Sequence, residues 1–111
     1  LKNTKLISSS EETNGIKVAE AVAAGEYDRG ILICGTGIGM SVAANKIQNI
    51  IAGKVSTPRE AKLAKEHNHA NVMTLSEYTE NIEEIVYNFI FTKYSNEERH
   101  IRRVNKIMDL R

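Results

Sequence analysis

Residues 31–46 read Ile-Leu-Ile-Cys-Gly-Thr-Gly-Ile-Gly-Met-Ser-Val-Ala-Ala-Asn-Lys. The apolar run Ile31-Leu32-Ile33 is typical of a strand covered on both faces. It ends in Cys34, the only cysteine of the chain. Glycines follow at 35, 37 and 39, and a helix-like segment continues to about Lys46. A buried strand thus delivers a thiol to a glycine loop that opens a helix. Glycine lets backbone N–H groups approach a ligand. A helix N-terminus adds unpaired donors and a partial positive charge. Such a loop holds an anion, or an oxyanion that develops during reaction, and the same field favours a thiolate at Cys34. The plainer reading is a tight strand-to-helix turn beside a small buried cysteine.

Working outward, residues 4–9 form a short candidate strand and 10–14 a polar turn. Residues 15–24 place Ile16, Val18, Ala19, Val22 and Ala23 at helical spacing, with Gly25 as a C-cap. Residues 50–56 give another strand. Thr57-Pro58-Arg59-Glu60 then starts a helix with a cap, a first-turn proline and a capping box; it runs to about Glu66. Residues 71–75 form a further strand. Helical periodicity returns from Glu80 to Lys93, with Ile82, Ile85, Val86, Phe89 and Ile90 on one side. Ser95 and Glu98 read as a second capping box, opening a last helix with Ile101, Val104, Ile107 and Met108. The alternation predicts a parallel sheet with helices on both faces, joined by right-handed crossovers. Ligands of such sheets bind beyond the carboxyl ends of the strands, where Cys34, Ser56–Thr57 and Leu75–Ser76 fall.

The chain has 111 residues, enough for a single domain over 1–111 with one modest core. Fifteen Lys and Arg against fourteen Asp and Glu leave a net charge of +1. No global field therefore argues for nucleic acid or a membrane surface. One cysteine excludes an internal disulfide framework and fits a reducing compartment. No apolar stretch approaches the roughly 20 residues that span a bilayer, and no basic-then-apolar leader opens the chain. The expectation is a protein of a reducing compartment with no nucleic-acid or membrane partner.

Two nucleotide readings of the glycine loop fail on spacing. The dinucleotide fingerprint needs G-x-G-x-x-G, whereas this loop is G-x-G-x-G, and no Gly-Lys-Ser/Thr follows for a Walker A loop. His67, His69 and His100 are the conceivable metal ligands. H-x-H without acidic or thiol partners at ligand spacing is not a signature, so no metal site is expected. Arg99, His100, Arg102, Arg103 and Lys106 crowd the last helix. That is ordinarily a solvated basic face, yet Arg99 and Arg103 are four apart and share a side. Two guanidinium forks there suit a phosphate dianion. An RNA patch needs stacking aromatics, and aromatics are only 5% of the chain.

The loop motif, Ala64-Lys65-Glu66-His67-Asn68-His69-Ala70-Asn71-Val72 and Arg99-His100-Ile101-Arg102-Arg103-Val104 together resemble the ribose-5-phosphate isomerase B family. That family includes the galactose-6-phosphate isomerase subunits. The likeness covers about residues 15–108. It implies an α/β fold: a three-layer αβα sandwich with a mainly parallel, Rossmann-like sheet and a C-terminal helix. It also implies a cytoplasmic aldose–ketose isomerase of phosphorylated sugars that needs no metal or organic cofactor. Carried over, Cys34 resembles the base that moves a proton through an enediolate. Met40 stands where some members have a glutamate. Gly35, Thr36, Gly37, Ile38 and Gly39 resemble the anion hole. His67 resembles the acid–base group that opens the sugar ring, Asn68 a sugar-hydroxyl ligand, and Arg99 and Arg103 phosphate ligands. The resemblance also implies sites built between subunits of a homodimer or a dimer of dimers.

Two departures stand out. The family begins with a strand ending in an Asp-His pair, and nothing before residue 15 resembles it. The chain, which starts at Leu1, is expected to lack the family's first strand and helix. It is then either a fragment or a protein that has lost part of the site. Tyr78 stands where the family often has a further phosphate-binding arginine. Both departures leave open a hexose-6-phosphate isomerase, or a non-catalytic subunit that binds sugar phosphate.

Overall fold

The computed structural model describes residues 4–8 and 12–110. Its elements in chain order are β1 (Thr4–Ser8), α1 (Glu12–Ala23), β2 (Arg29–Cys34), α2 (Ile38–Asn45), β3 (Ala52–Lys54), α3 (Pro58–Asn68), β4 (Val72–Ser76), α4 (Ile82–Phe91) and α5 (Glu98–Met108). The four strands lie in the order β1-β2-β4-β3, and every pairing is parallel. The parallel sheet expected from the alternation, and the α/β, Rossmann-like class that the resemblance implies, are therefore present.

Strand alternation divides the core into two layers. Leu32 and Val72 face one way and pack with Val18, Ala19 and Val22 of α1 and with Met40 and Ala44 of α2. Ile31, Met73 and Leu75 face the other way and pack with Ala61 of α3 and with Ile85 and Phe89 of α4. Removing a side chain such as Phe89 or Leu75 from water contributes about 2–3 kcal/mol. Helix α5 lies against α3. It buries His100 and Val104 and leaves Ile107 on the surface.

Local chemistry explains where elements begin and end. Gly25 adopts φ +83°, and the N–H groups of Gly25 and Glu26 bond the carbonyls of Val22 and Ala21 at 3.0 Å each. This is the Schellman closure that the C-cap glycine predicts. The Thr57 hydroxyl accepts the Glu60 N–H at 3.1 Å, and the Glu60 carboxylate reaches back to the Ser56 N–H at 2.7 Å. Replacing Thr57 by alanine orphans that first-turn donor. It is expected to lower unfolding stability by about 1 kcal/mol in denaturant melts.

Several boundaries differ from the sequence reading; helix α4 spans Ile82–Phe91 rather than 80–93, and β4 is shifted by one residue to Val72–Ser76. Helix α1 begins at Glu12, so residues 12–14 are helical rather than a turn; residues 9–11 lie outside the described residues. Helix α3 runs on to Asn68, where His69 closes it in the left-handed conformation. Strand β3 shrinks to three residues because asparagine side chains take over its flank. Asn45 bonds both the N–H and the carbonyl of Ala52, at 2.7 and 2.9 Å. Asn71 does the same for the Ile51 N–H and the Asn49 carbonyl, at 2.9 and 3.0 Å. The Ser95 capping box does not form. Helix α5 starts at Glu98 with Glu97 as an N-cap that makes no side-chain capping bond; the Ser95 hydroxyl bonds His100 Nδ1 at 2.6 Å and accepts the Glu97 N–H at 3.2 Å instead of that of Glu98.

Candidate active site

Cys34 is the last residue of β2 and lies half-buried at the carboxyl edge of the sheet. Its Sγ accepts the Gly37 N–H at 3.2 Å. Thr36 Oγ1 accepts the Ile38 N–H at 3.2 Å. Two N–H groups of the expected anion hole are thus held by the loop's own sulfur and hydroxyl. Gly39 lies in the exposed first turn of α2.

The loop is clamped onto β4. The Glu77 N–H donates to the Cys34 carbonyl at 2.8 Å. The Ser76 hydroxyl donates to the Gly35 carbonyl at 2.9 Å, and the Thr74 hydroxyl to the Gly37 carbonyl at 2.7 Å. The sequence reading did not single out Thr74, although a hydroxyl inside the run Val-Met-Thr-Leu was a signal. A buried hydroxyl needs a partner, and here that partner is the loop. Tyr78 follows on the surface, its N–H bonded to Ser76 Oγ at 3.1 Å. A hydrogen bond to Glu77, together with that carboxylate's charge, pushes the Tyr78 phenol above its usual range. The phenol therefore stays neutral and adds no cation here.

The other candidates gather at the end of α3. Arg103 Nη2 donates to the His67 carbonyl at 2.7 Å and to Asn68 Oδ1 at 2.8 Å. A guanidinium there satisfies helix-terminal acceptors and complements the negative end of the helix dipole. His67 Nε2 lies 3.3 Å from Glu66 Oε1. The His67 ring rests on that of His100, centroids 4.3 Å apart and planes 31° apart. Arg99, one turn before Arg103, lies 3.4 Å from Glu97 Oε1 in an exposed pair, which adds little to stability.

The three histidines do not converge. His69 stacks on Tyr94 at 4.4 Å and 6°, away from the His67–His100 pair. Burial, then the Lys65 charge, lowers the His69 pKa. His100, only 3% exposed, is lowered by burial first and by its charged neighbours after that. Among the described residues, no group of three His, Cys, Asp or Glu side chains is placed to hold a metal ion.

The two groups of candidates are far apart. Cys34 pairs with Ser76, and Gly30 pairs with Val72. Four residues of strand separate these levels by roughly 13 Å. Helix α3 runs back toward the amino edge, and Asn68 precedes Val72, the first residue of β4. His67, Asn68 and Arg103 therefore stand beyond one end of the sheet and Cys34 at the other. Two grooves meet at Asn68 and Arg103. One, of about 760 Å³, has Asn45, Ile50, Ile107 and Leu110 in its wall. The other, of about 430 Å³, includes Lys54, Glu60 and His67. Cys34 lines neither.

The parallel α/β sheet thus carries a thiol in a glycine loop at one edge and an imidazole beside the Arg103 guanidinium at the other. The chain belongs to the Ribose/Galactose Isomerase family, which matches residues 9–107. It is 52% identical over 69 residues to ribose-5-phosphate isomerase B of Escherichia coli, covering 59% of this chain and 46% of that protein. It is 41% identical over 83 residues to a galactose-6-phosphate isomerase subunit of Clostridium acetobutylicum, covering 72% and 48%. The structure of the Trypanosoma brucei type B ribose 5-phosphate isomerase superposes with a TM-score of 0.85 at 45% identity, covering 87% of this chain and 67% of that one. The chain spans about half the length of these two curated relatives.

Proposed function

We propose that the protein is an aldose–ketose isomerase interconverting ribose 5-phosphate and ribulose 5-phosphate. The observation that carries this reading is the complementarity of the two edges. One chain offers a thiol and N–H donors at the carboxyl edge and an imidazole, an amide and guanidinium groups at the amino edge. Neither edge is a complete site. A second copy, turned end for end, brings the Cys34 loop of one chain to the His67–Asn68–Arg103 groove of the other. Ile38 and Val42 lie exposed, one turn apart, beside that loop. Apolar Ile50, Ile107 and Leu110 line the groove that receives them. A homodimer, alone or paired into a dimer of dimers, is then the active unit. Closed two-fold pairing makes both sites equivalent.

In this site His67 exchanges a proton with the ring oxygen and opens the cyclic sugar. Asn68 holds a sugar hydroxyl, and Arg99 and Arg103 hold the phosphate. Cys34 Sγ then takes the proton from C2 of the open aldose, and the electron pair moves onto the C1 oxygen. The loop N–H groups not taken by Cys34 Sγ and Thr36 Oγ1, those of Gly35, Thr36 and Gly39, receive that charge as it forms. A proton passes from the C2 oxygen to the C1 oxygen, and the thiol returns its proton to C1 to give the ketose. The step balances without metal or organic cofactor. A reducing cytoplasm suits the unpaired thiol.

The likeness to a galactose-6-phosphate isomerase subunit and the neutral Tyr78 favour a second reading, a hexose-6-phosphate isomerase or a sugar-phosphate-binding subunit. Relative turnover on pentose and hexose phosphates decides between these readings; no turnover on pentose phosphate rejects the first. Replacing Arg99 by alanine is expected to raise KM on the order of 10-fold with kcat nearly unchanged, because one charge-assisted contact present before and during reaction is lost. An unchanged KM would remove Arg99 from the phosphate site.

A further inference from the structure

His100 is a buried imidazole that the proposed reaction leaves without a task. We infer that it is a positioning residue for His67, its ring fixed by Ser95 so that it sets the face and angle of the His67 imidazole. The inference rests on the reading that His67 opens the sugar ring.

A polar ring almost wholly removed from water requires a partner, and His100 Nδ1 has one in Ser95 Oγ at 2.6 Å. Ser95 is itself tied to both helices. Its N–H donates to the Glu66 carbonyl in the last turn of α3 at 3.0 Å. Its hydroxyl accepts the Glu97 N–H at the start of α5 at 3.2 Å. Ser95 gives up its expected capping role for this arrangement. The fixed ring then meets the face of His67, with centroids 4.3 Å apart. His67 is otherwise a partly exposed side chain with one ring contact, its Nε2 to Glu66 Oε1. Glu66 on one side and the His100 face on the other restrict its rotation.

The surrounding charges support the same role. Glu66 faces His67 from α3, and Glu97, Arg99 and Arg103 face His100 from α5 and its cap. Burial, His67 and the two arginines hold the His100 pKa below the ordinary histidine value, against the pull of Glu97. That shift disfavours a second positive charge beside His67.

The test separates ring opening from proton exchange in the oligomeric protein. Ribose 5-phosphate is cyclic and must open. Ribulose 5-phosphate is acyclic and exchanges its C1 proton with heavy water without that step. His100→Phe keeps a ring but cannot bond Ser95. It is expected to lower kcat on ribose 5-phosphate about 10-fold, KM changing less than about 2-fold, since small misplacements of an acid–base group are costly. Exchange at C1 of ribulose 5-phosphate should stay within about 2-fold of wild type. Ser95→Ala keeps the His100 ring and removes its anchor; the same split, about 3-fold, is expected and stands if His100→Phe fails to fold. Equal loss in both assays, or no loss in either, overturns the inference. His67→Asn must give the larger version of the split, or the inference falls with the His67 assignment. A wild-type protein that exchanges no proton overturns the proposed chemistry itself.

Discussion

Cys34→Ala is expected to lower turnover of ribose 5-phosphate about 10³-fold and to abolish solvent exchange at C1 of ribulose 5-phosphate. A positioned acid–base group contributes about 10² to 10⁴ in rate, and no other side chain has been placed where it can substitute. The loop itself should persist. Its hold on β4 comes from backbone carbonyls of Cys34, Gly35 and Gly37, all kept by alanine. The variant loses only the sulfur that accepts the Gly37 N–H. Binding of the sugar phosphate should therefore survive. A variant with wild-type exchange would remove Cys34 from the chemistry.

Gly37→Ala is expected to lower unfolding stability by about 2–4 kcal/mol and to impair turnover strongly. Two independent penalties meet at this residue. Its φ of +80° lies in the left-handed region, which disfavours a Cβ by about 1–2 kcal/mol. The added Cβ would also stand 2.9 Å from the Leu75 carbonyl carbon and 3.1 Å from its oxygen. That neighbour is buried backbone of β4, which cannot swing aside, so the loop must lift. Lifting breaks the Thr74–Gly37 bond and moves the donors beside Cys34. Equilibrium denaturation and turnover measure the two effects together; a variant with unchanged stability would show that the loop is not pressed onto β4.

The local chemistry of this chain was largely legible in its sequence. The Ile-Leu-Ile-Cys run forms a strand covered on both faces, and the glycine loop and the Thr57 box form where their residue types demand. Misreadings arose where a side chain serves a distant partner. Residues 12–14 look like part of a polar turn, yet they form the first turn of α1. A Cβ at Gly15 would meet Met40 at 3.4 Å and Leu32 at 3.6 Å, ordinary packing distances. Strand β3 is shorter than its apolar residues suggest: Asn71 takes the Ile51 N–H ahead of it, and Asn45 covers its free edge at Ala52. The Ser95 box does not form, since its hydroxyl ties a buried histidine five residues on and takes the Glu97 N–H rather than that of Glu98.

The candidate site shows a different limit. Its residue types could be read in order along the chain, but spacing gives no sense of which edge each reaches. A helix that follows a parallel strand returns to the amino edge, so the end of α3 stands opposite the end of β2. The single chain thereby keeps Cys34 away from His67, Asn68 and Arg103. The proposed pairing of two copies follows from that separation.

Mixed dimers test this pairing most directly. One chain carrying Cys34→Ala and one carrying His67→Asn, each with a different affinity tag, are produced together and the mixed species is isolated. Each parent dimer has two damaged sites. In the mixed dimer one site receives both substitutions and the other receives an intact Cys34 and an intact His67. The account predicts about half of wild-type turnover in the mixed species, with both parents nearly inactive. A mixed dimer as inactive as its parents would place Cys34 and His67 in the same chain's site and contradict the account.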